Sequence, residues 1–206
     1  MTVPASDMND DSIIVEHRDS LAIIRLNQPK HRNSLSIRTL ERLDKAITTL
    51  IQSNGIAALI FTGTENVFAS GADIRELAAL TPGTAKVFAE LGQSVFGKIA
   101  NAEQTTIAAI NGYCIGGGLD LALACDIRCA SANASFAHPG ARLGIITGWG
   151  GTQRLPRLVG PARALEMFAT AHRLTSTEAY EIGLVTRIGD PVLECALEFV
   201  SRRKRI

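Results

Sequence analysis

The stretch that most limits what this chain can fold into runs over residues 105–126, TTIAAINGYCIGGGLDLALACD. Its apolar start, residues 107–110, has the character of a short buried strand. Asn111-Gly112 is a turn pair. Gly116, Gly117 and Gly118 then lead into Leu119-Asp120-Leu121-Ala122-Leu123-Ala124, a run that favours helix. Three glycines at a helix start cost conformational entropy, so the pattern points to a place where bare backbone must come close to something. The first N–H groups of a helix have no partner within it. Together with the positive end of the helix dipole they suit an anion or a developing oxyanion. Asp120 falls in the first turn, near the same spot. The stretch reads as an oxyanion site with one acid beside it.

The rest of the chain supplies strands and helices in alternation, which means βαβ units and an α/β fold. Residues 12–17 and 21–26 are β-type runs joined by Arg18-Asp19-Ser20, a hairpin. A polar loop follows at 27–33. Ser36 then precedes a helix to about residue 53, with Ile37, Leu40, Leu43, Ile47 and Leu50 at helical spacing. Residues 56–62 are a second buried strand. A loop from Gly63 to Asp73 runs into a short helix holding Ile74 and Leu77, and a longer helix spans about 84–100. After the glycine triplet, short strands are expected at 127–130 and 134–136, and a glycine-rich loop at 144–152. Helical stretches follow near 152–158 and 161–171, then a short helix capped by Ser176. A strand at 184–188 and a helix at 191–203 complete the order. With 206 residues, 46 % of them apolar, the chain can bury one sizeable core.

Composition removes several function classes. A formal charge of +1 does not suit wholesale nucleic-acid binding. No apolar run approaches the roughly 20 residues that span a bilayer. Residues 1–11 are polar and read as a disordered lead-in rather than a secretory signal. The four cysteines, Cys114, Cys125, Cys129 and Cys195, lack C-x-x-C spacing and read as free core thiols of a cytoplasmic protein. The glycine triplet comes too late in the chain for a dinucleotide fingerprint, the 63–71 loop lacks the P-loop lysine, and no G-x-S-x-G elbow is present. No metal-ligand spacing stands out. The basic run at 201–205 reads as a solvated tail.

Five segments in register resemble the crotonase superfamily of enoyl-CoA hydratases and isomerases: Leu26-Asn27-Gln28-Pro29 with Arg32-Asn33-Ser34-Leu35, Phe68 to Ile74, Asn111 to Asp126, Gly150-Gly151-Thr152-Gln153-Arg154-Leu155-Pro156, and Thr175 to Val185. The likeness covers about residues 12–190. It implies a ClpP-like crotonase fold of repeated ββα units in two sheets, assembled as homotrimers or trimer pairs. It also implies an acyl-CoA thioester as substrate, with no cofactor beyond the CoA the substrate carries. By position, the backbone N–H groups of Ala72 and Gly117 would hold the thioester oxygen, and Asp120 would be an acid of the reaction centre. Lys30, Arg32, Ala69, Asp73 and Ile74 would contact the CoA nucleotide, Gly118 would be a further substrate contact, and Trp149 would fill acyl space. Family members continue for several helices after the Leu184-Val185 segment, whereas here a short helix and basic tail at 191–206 are expected, a shortened C-terminal region.

The sequence departs from the family at the second acid. Hydratases hold one water between two glutamates; the first falls on Asp120 and the second on Gly140, which has no side chain to carry a proton. Relatives that make naphthoyl-CoA thioesters also have glycine there. His138, two residues earlier, titrates near neutrality and is either a second proton carrier or a packed loop histidine. Three functions stay open on sequence alone: an enoyl-CoA hydratase or isomerase working through an enolate, a hydrolase, decarboxylase or carbon–carbon bond enzyme on the same scaffold, and a non-catalytic acyl-CoA binder.

Overall fold

The computed structural model describes residues 11–203. Of the expected lead-in and basic tail, residues 1–10 and 204–206 lie outside the described residues. The chain opens with β1 (Ile13–Arg18) and β2 (Leu21–Leu26), paired antiparallel through a turn in which Asp19 takes a positive φ. A single 3-10 turn at Pro29–His31 and the two-residue β3 (Ser34–Leu35) lead to α1 (Ile37–Ile51). Ser36 caps that helix by accepting from the Thr39 N–H, as its place before the first apolar residue predicts. Next come β4 (Ala58–Thr62), β5 (Val67–Ala69), β6 (Gly71–Ala72), α2 (Ile74–Ala78) and α3 (Pro82–Ala100). The central stretch forms β7 (Thr105–Ile110), β8 (Tyr113–Ile115) and α4 (Gly117–Ala124). It is followed by β9 (Ile127–Ala130), β10 (Ser135–Ala137), α5 (Gly140–Leu143), α6 (Gly151–Val159) and α7 (Pro161–Thr170). The described chain closes with β11 (Leu174–Thr175), α8 (Ser176–Glu181), β12 (Arg187–Ile188) and α9 (Val192–Arg203).

Sheet membership exposes the repeat. One sheet runs β1-β2-β4-β7-β9-β12, and a second runs β11-β10-β8-β5. In each of the pairs β4/β5, β7/β8 and β9/β10 the first strand joins the larger sheet and the second joins the smaller, and a helix follows. This is the ββα repeat. A two-stranded parallel pair, β3 with β6, stands apart and sets Leu35 against Ala72. The corners where the chain leaves one sheet for the other are tight. A Cβ on Gly112 would stand 1.8 Å from the Asn66 carbonyl oxygen, and one on Gly63 would stand 2.0 Å from that of Val67. Asn111 bonds the two corners together, accepting from the Gly63 N–H and donating to the Glu65 carbonyl, both at 2.9 Å.

The main core lies between the sheets and helices α1, α3 and α4, with Leu40, Leu43, Phe61, Phe68, Phe96 and Phe136 fully enclosed. Each such side chain contributes about 1.5–3 kcal/mol of burial. A smaller core on the other face of the larger sheet sets Ile23, Ile60, Ile107 and Cys129 against Val192, Cys195 and Ala196 of α9.

Three local expectations are corrected. Residues 113–115 form a strand that three residues between glycines cannot announce by periodicity. The cap of α8 is Thr175, in a reciprocal capping box with Glu178, whereas Ser176 is buried and donates to the Ser131 and Ala134 carbonyls. The strand expected over 184–188 shrinks to Arg187–Ile188. The Leu184 carbonyl is taken by the Arg128 guanidinium and the Val185 N–H by the Ala179 carbonyl.

Candidate active site

The glycine triplet does what its cost implies. Gly116 takes φ 55° and turns the chain from β8 into α4, where Gly117 is the first residue and leaves its N–H outside the helix bonding. A Cβ on Gly117 would stand 2.3 Å from the Trp149 ring and 3.5 Å from the Ala72 nitrogen; one on Gly118 would stand 2.3 Å from the Ala69 carbonyl oxygen. From the other side, Gly71 takes φ 93°, and a Cβ there would stand 3.1 Å from the Gly117 nitrogen. The β6 loop and the start of α4 therefore meet backbone to backbone. Ala72 and Gly117 both line a cavity of about 1000 Å³. The two residues to which the resemblance assigns the oxyanion donors thus line the same cavity, with their backbones in close approach.

Asp120 lies one turn into α4, with no exposed surface. Its Oδ2 accepts from the Thr147 hydroxyl. Burial pushes its carboxyl up to about 7, against the opposing pull of the Thr147 hydroxyl, the Arg154 cation and the Trp149 backbone. A Cβ on Gly151 would stand 2.1 Å from Oδ1, so the second glycine of the 150–151 pair is what makes room for the acid. Asp120 does not itself line the cavity.

His138 does line it. The parallel pairing of β10 with β8 sets Ala137 against Ile115, and the Gly116 N–H donates to the Ala137 carbonyl at 2.8 Å. This register puts the residue after β10 beside the oxyanion turn. The His138 side chain is 3 % exposed, and its Nε2 stands 3.4 Å from Asp120 Oδ1. The two atoms are within reach yet not aligned for a hydrogen bond, and neither has another partner. Burial alone holds the imidazole down to about 4, while the Phe168 ring packs on it with centroids 5.1 Å apart.

Gly140 begins α5, where a Cβ would stand 2.5 Å from the Ile145 carbonyl oxygen; the Ile145 N–H donates to the Gly140 carbonyl. The turn as formed around this glycine leaves no room for a side chain at 140. Trp149 is buried under the cavity, tilted against Phe88 and edge-on to Phe96, and its Nε1 donates to the Phe88 carbonyl. Arg154 donates to the Trp149 carbonyl and holds it from behind.

Of the expected nucleotide contacts, Lys30, Arg32, Asp73 and Ile74 line the cavity mouth. The Asp73 carboxylate is engaged by the Arg75 guanidinium and by the Arg75 N–H that it caps, which hold it down to about 2. Ala69 and Gly118 lie elsewhere: they pack on one another beneath the cavity and do not line it. Four participants escape the sequence reading. Thr147 bonds Asp120, and Arg75 and Arg142 add charge at the mouth. Buried Asn33 ties the mouth loop to β5, donating to the Val67 carbonyl and accepting from the Gln28 N–H. Only Asn33 leaves a trace in the sequence, as an Asn within a basic polar loop. Among the described residues no three His, Cys, Asp or Glu side chains gather as a metal site, and no helix is long and apolar enough to cross a membrane.

Known proteins of similar sequence and fold point to one family. The family model for enoyl-CoA hydratase/isomerase matches residues 16–203. A crotonyl-CoA hydratase of Syntrophomonas wolfei is 42 % identical over 182 residues, covering 88 % of this chain and 70 % of that protein. A short-chain-enoyl-CoA hydratase of Clostridium acetobutylicum is 40 % identical over 185 residues, 89 % of this chain and 71 % of that one. Among solved structures, the enoyl-CoA hydratase of Bacillus anthracis superposes with a TM-score of 0.89 at 35 % identity, over 93 % of this chain and 76 % of that chain. DspI of Pseudomonas aeruginosa gives 0.91 at 34 % identity, over 98 % and 84 %. The chain belongs to the enoyl-CoA hydratase/isomerase family and has the crotonase fold.

Proposed function

We propose that this protein is an enoyl-CoA hydratase-type lyase, which binds an acyl-CoA thioester and stabilises its enolate. The observation that carries the reading is the meeting of two backbone turns, at Ala72 and Gly117, on one cavity wall, with a single buried acid one helical turn behind. The two N–H groups are assigned to the thioester oxygen, where one such donor is worth on the order of 3 kcal/mol of barrier. Asp120 is assigned as the acid of the reaction centre. Its carboxyl, near 7, can hold or release a proton at the pH of a cell. Lys30 and Arg32 are assigned to the CoA phosphates and Trp149 to the floor of the acyl space. No cofactor is assigned beyond the CoA itself. A homotrimer or pair of trimers is part of the same reading, and so is a cytoplasmic setting, for which the four buried free cysteines are the support.

The absence of a side chain at 140 favours a second reading, in which the same enolate serves to move a double bond. One assay separates them: crotonyl-CoA, followed by loss of its conjugated absorbance, with the product identified by mass. Wild type is expected to add water. Asp120→Asn is expected to lose turnover by on the order of 100-fold or more, with KM changed severalfold at most. Inert wild type that still binds the thioester and shifts the double bond of a longer enoyl-CoA selects the isomerase. Binding with no turnover on either substrate rejects both readings.

A further inference from the structure

His138 and Asp120 are two buried ionisable groups with facing, unpartnered atoms, and only the histidine reaches the cavity. A merely packed histidine in a core normally satisfies its ring nitrogens. Here Nε2 is buried and turned toward Asp120 Oδ1, so Nδ1 is the nitrogen left for a bound substrate. Asp120 in turn is walled off by Thr147 and the 149–151 backbone and has no face of its own on the cavity.

We propose that His138 is the catalytic proton carrier of this site and that Asp120 acts through it, the pair standing in for the two carboxylates of the family. The inference rests on the enolate reading above. In hydration, a water oxygen bonds to Cβ of the enoyl thioester while its O–H bond breaks and the proton goes to Nδ1. The Nε2 proton passes to Oδ1 of the ionised Asp120 carboxylate in the same event, so the negative charge moves from Asp120 to the enolate oxygen. The displaced π electrons move into the thioester, and the enolate oxygen is held by the Ala72 and Gly117 N–H groups. The relay then runs backward: Asp120 returns its proton to Nε2, Nδ1 delivers one to Cα, and the enolate collapses to the hydrated thioester. Protons and electrons balance with no second acid, which is why a glycine at 140 can be tolerated.

The relay never leaves a lone charge on the imidazole, and this matches its surroundings. The groups facing the pair are the Phe168 ring from α7, the Thr147 hydroxyl, the Cys114 thiol from β8 and the Arg154 cation from α6. The 3.4 Å gap is of the kind that tightens when substrate is bound.

The test compares wild type, His138→Ala and His138→Gln by crotonyl-CoA hydration and by exchange of the Cα hydrogens of butyryl-CoA with D2O, each with and without added imidazole. Thermal melting and thioester binding are run on all three. Both variants are expected to lose turnover and exchange by on the order of 100-fold, with binding within about threefold. Imidazole is expected to restore roughly tenfold or more to His138→Ala, whose cavity admits it, and nothing to His138→Gln. A purely structural histidine would not give that contrast. Variants within about threefold of wild type, or a loss in His138→Ala that imidazole leaves untouched, overturn the relay while the enolate reading stands. Wild type that binds butyryl-CoA but neither exchanges nor hydrates overturns both.

Discussion

The same burial disfavours the charged forms of Asp120 and His138, and because one is an acid and the other a base their effects on folding oppose one another. Asp120 rises from 3.8 to about 7 in the native protein. Its protonated form is favoured there, so its contribution is full below about pH 4 and is lost as pH climbs toward 7. His138 falls from 6.5 to about 4, so the native protein binds fewer protons at this site than the unfolded chain. Its contribution is present above about 6.5 and is lost as pH falls toward 4. Between those limits the two slopes cancel in large part. Asp120→Asn removes the acid's slope, and its stability is expected to rise between about pH 4.5 and 7.5; His138→Gln removes the other, and its stability is expected to fall over the same window. Each change is on the order of 3 kcal/mol. Urea unfolding at the two ends of the window measures this. Variants whose pH profiles run parallel to wild type would show that the pair is not buried as described.

At the scale of elements, the turn from β10 through α5 decides what this site can become. A chain one acid short of a hydratase invites Gly140→Glu as a repair. The backbone refuses it: a Cβ there would stand 2.5 Å from the Ile145 carbonyl oxygen, in a turn closed by the hydrogen bond between the same two residues. The substitution is expected to displace residues 140–147, among them Thr147, the hydroxyl that bonds Asp120. It should cost roughly 1–3 kcal/mol of stability and lower crotonyl-CoA turnover instead of raising it. Melting and activity of that one variant check both, and a gain in hydration would refute the steric account. The sequence marks position 140 as an absence, and only the fold shows that the absence is enforced. The converse holds for the glycine triplet. Its cost is visible in the residues themselves, and each glycine is explained by one close approach or one positive φ. Helices with clear periodicity, such as α1 and α3, were likewise legible to within a few residues. What stayed hidden has no local signature: β8 is three residues long, and the capping of α8 by Thr175 rather than Ser176 turns on which hydroxyl is buried. The partnership of Asp120 with Thr147 and His138 joins residues 18 to 27 positions apart through sheet register. Pattern alone cannot supply register between non-neighbouring strands.

Across the whole molecule the charge is close to balanced, at +1, yet the cavity is not. Its mouth gathers Lys30, His31, Arg32, Arg75 and Arg142 from three separate segments, the 3-10 turn, α2 and α5, while the one acid of the rim, Asp73, is spent on Arg75. The inner wall is apolar, with Leu77, Leu80, Phe88 and Trp149. Such a division suits a ligand that is polyanionic at one end and apolar at the other, which is the shape of charge in an acyl-CoA. The mouth cations are exposed, so each contributes modestly and through a field that salt screens. Lys30→Ala with Arg32→Ala is therefore expected to raise the Kd for a CoA thioester by roughly threefold to tenfold at about 0.05 M salt, and by much less at about 0.5 M. Turnover at saturation should hold, because Arg32 meets the strand of the oxyanion turn only through its backbone carbonyl, which accepts from the Ser70 N–H and is kept in the variant. Calorimetric titration at the two salt concentrations, with kcat measured alongside, tests the division directly. If the double variant loses kcat while its Kd and salt dependence match wild type, the mouth shapes the reaction centre instead of gathering the phosphates. Asn33, which bonds the mouth loop to β5, would be the route by which it does so.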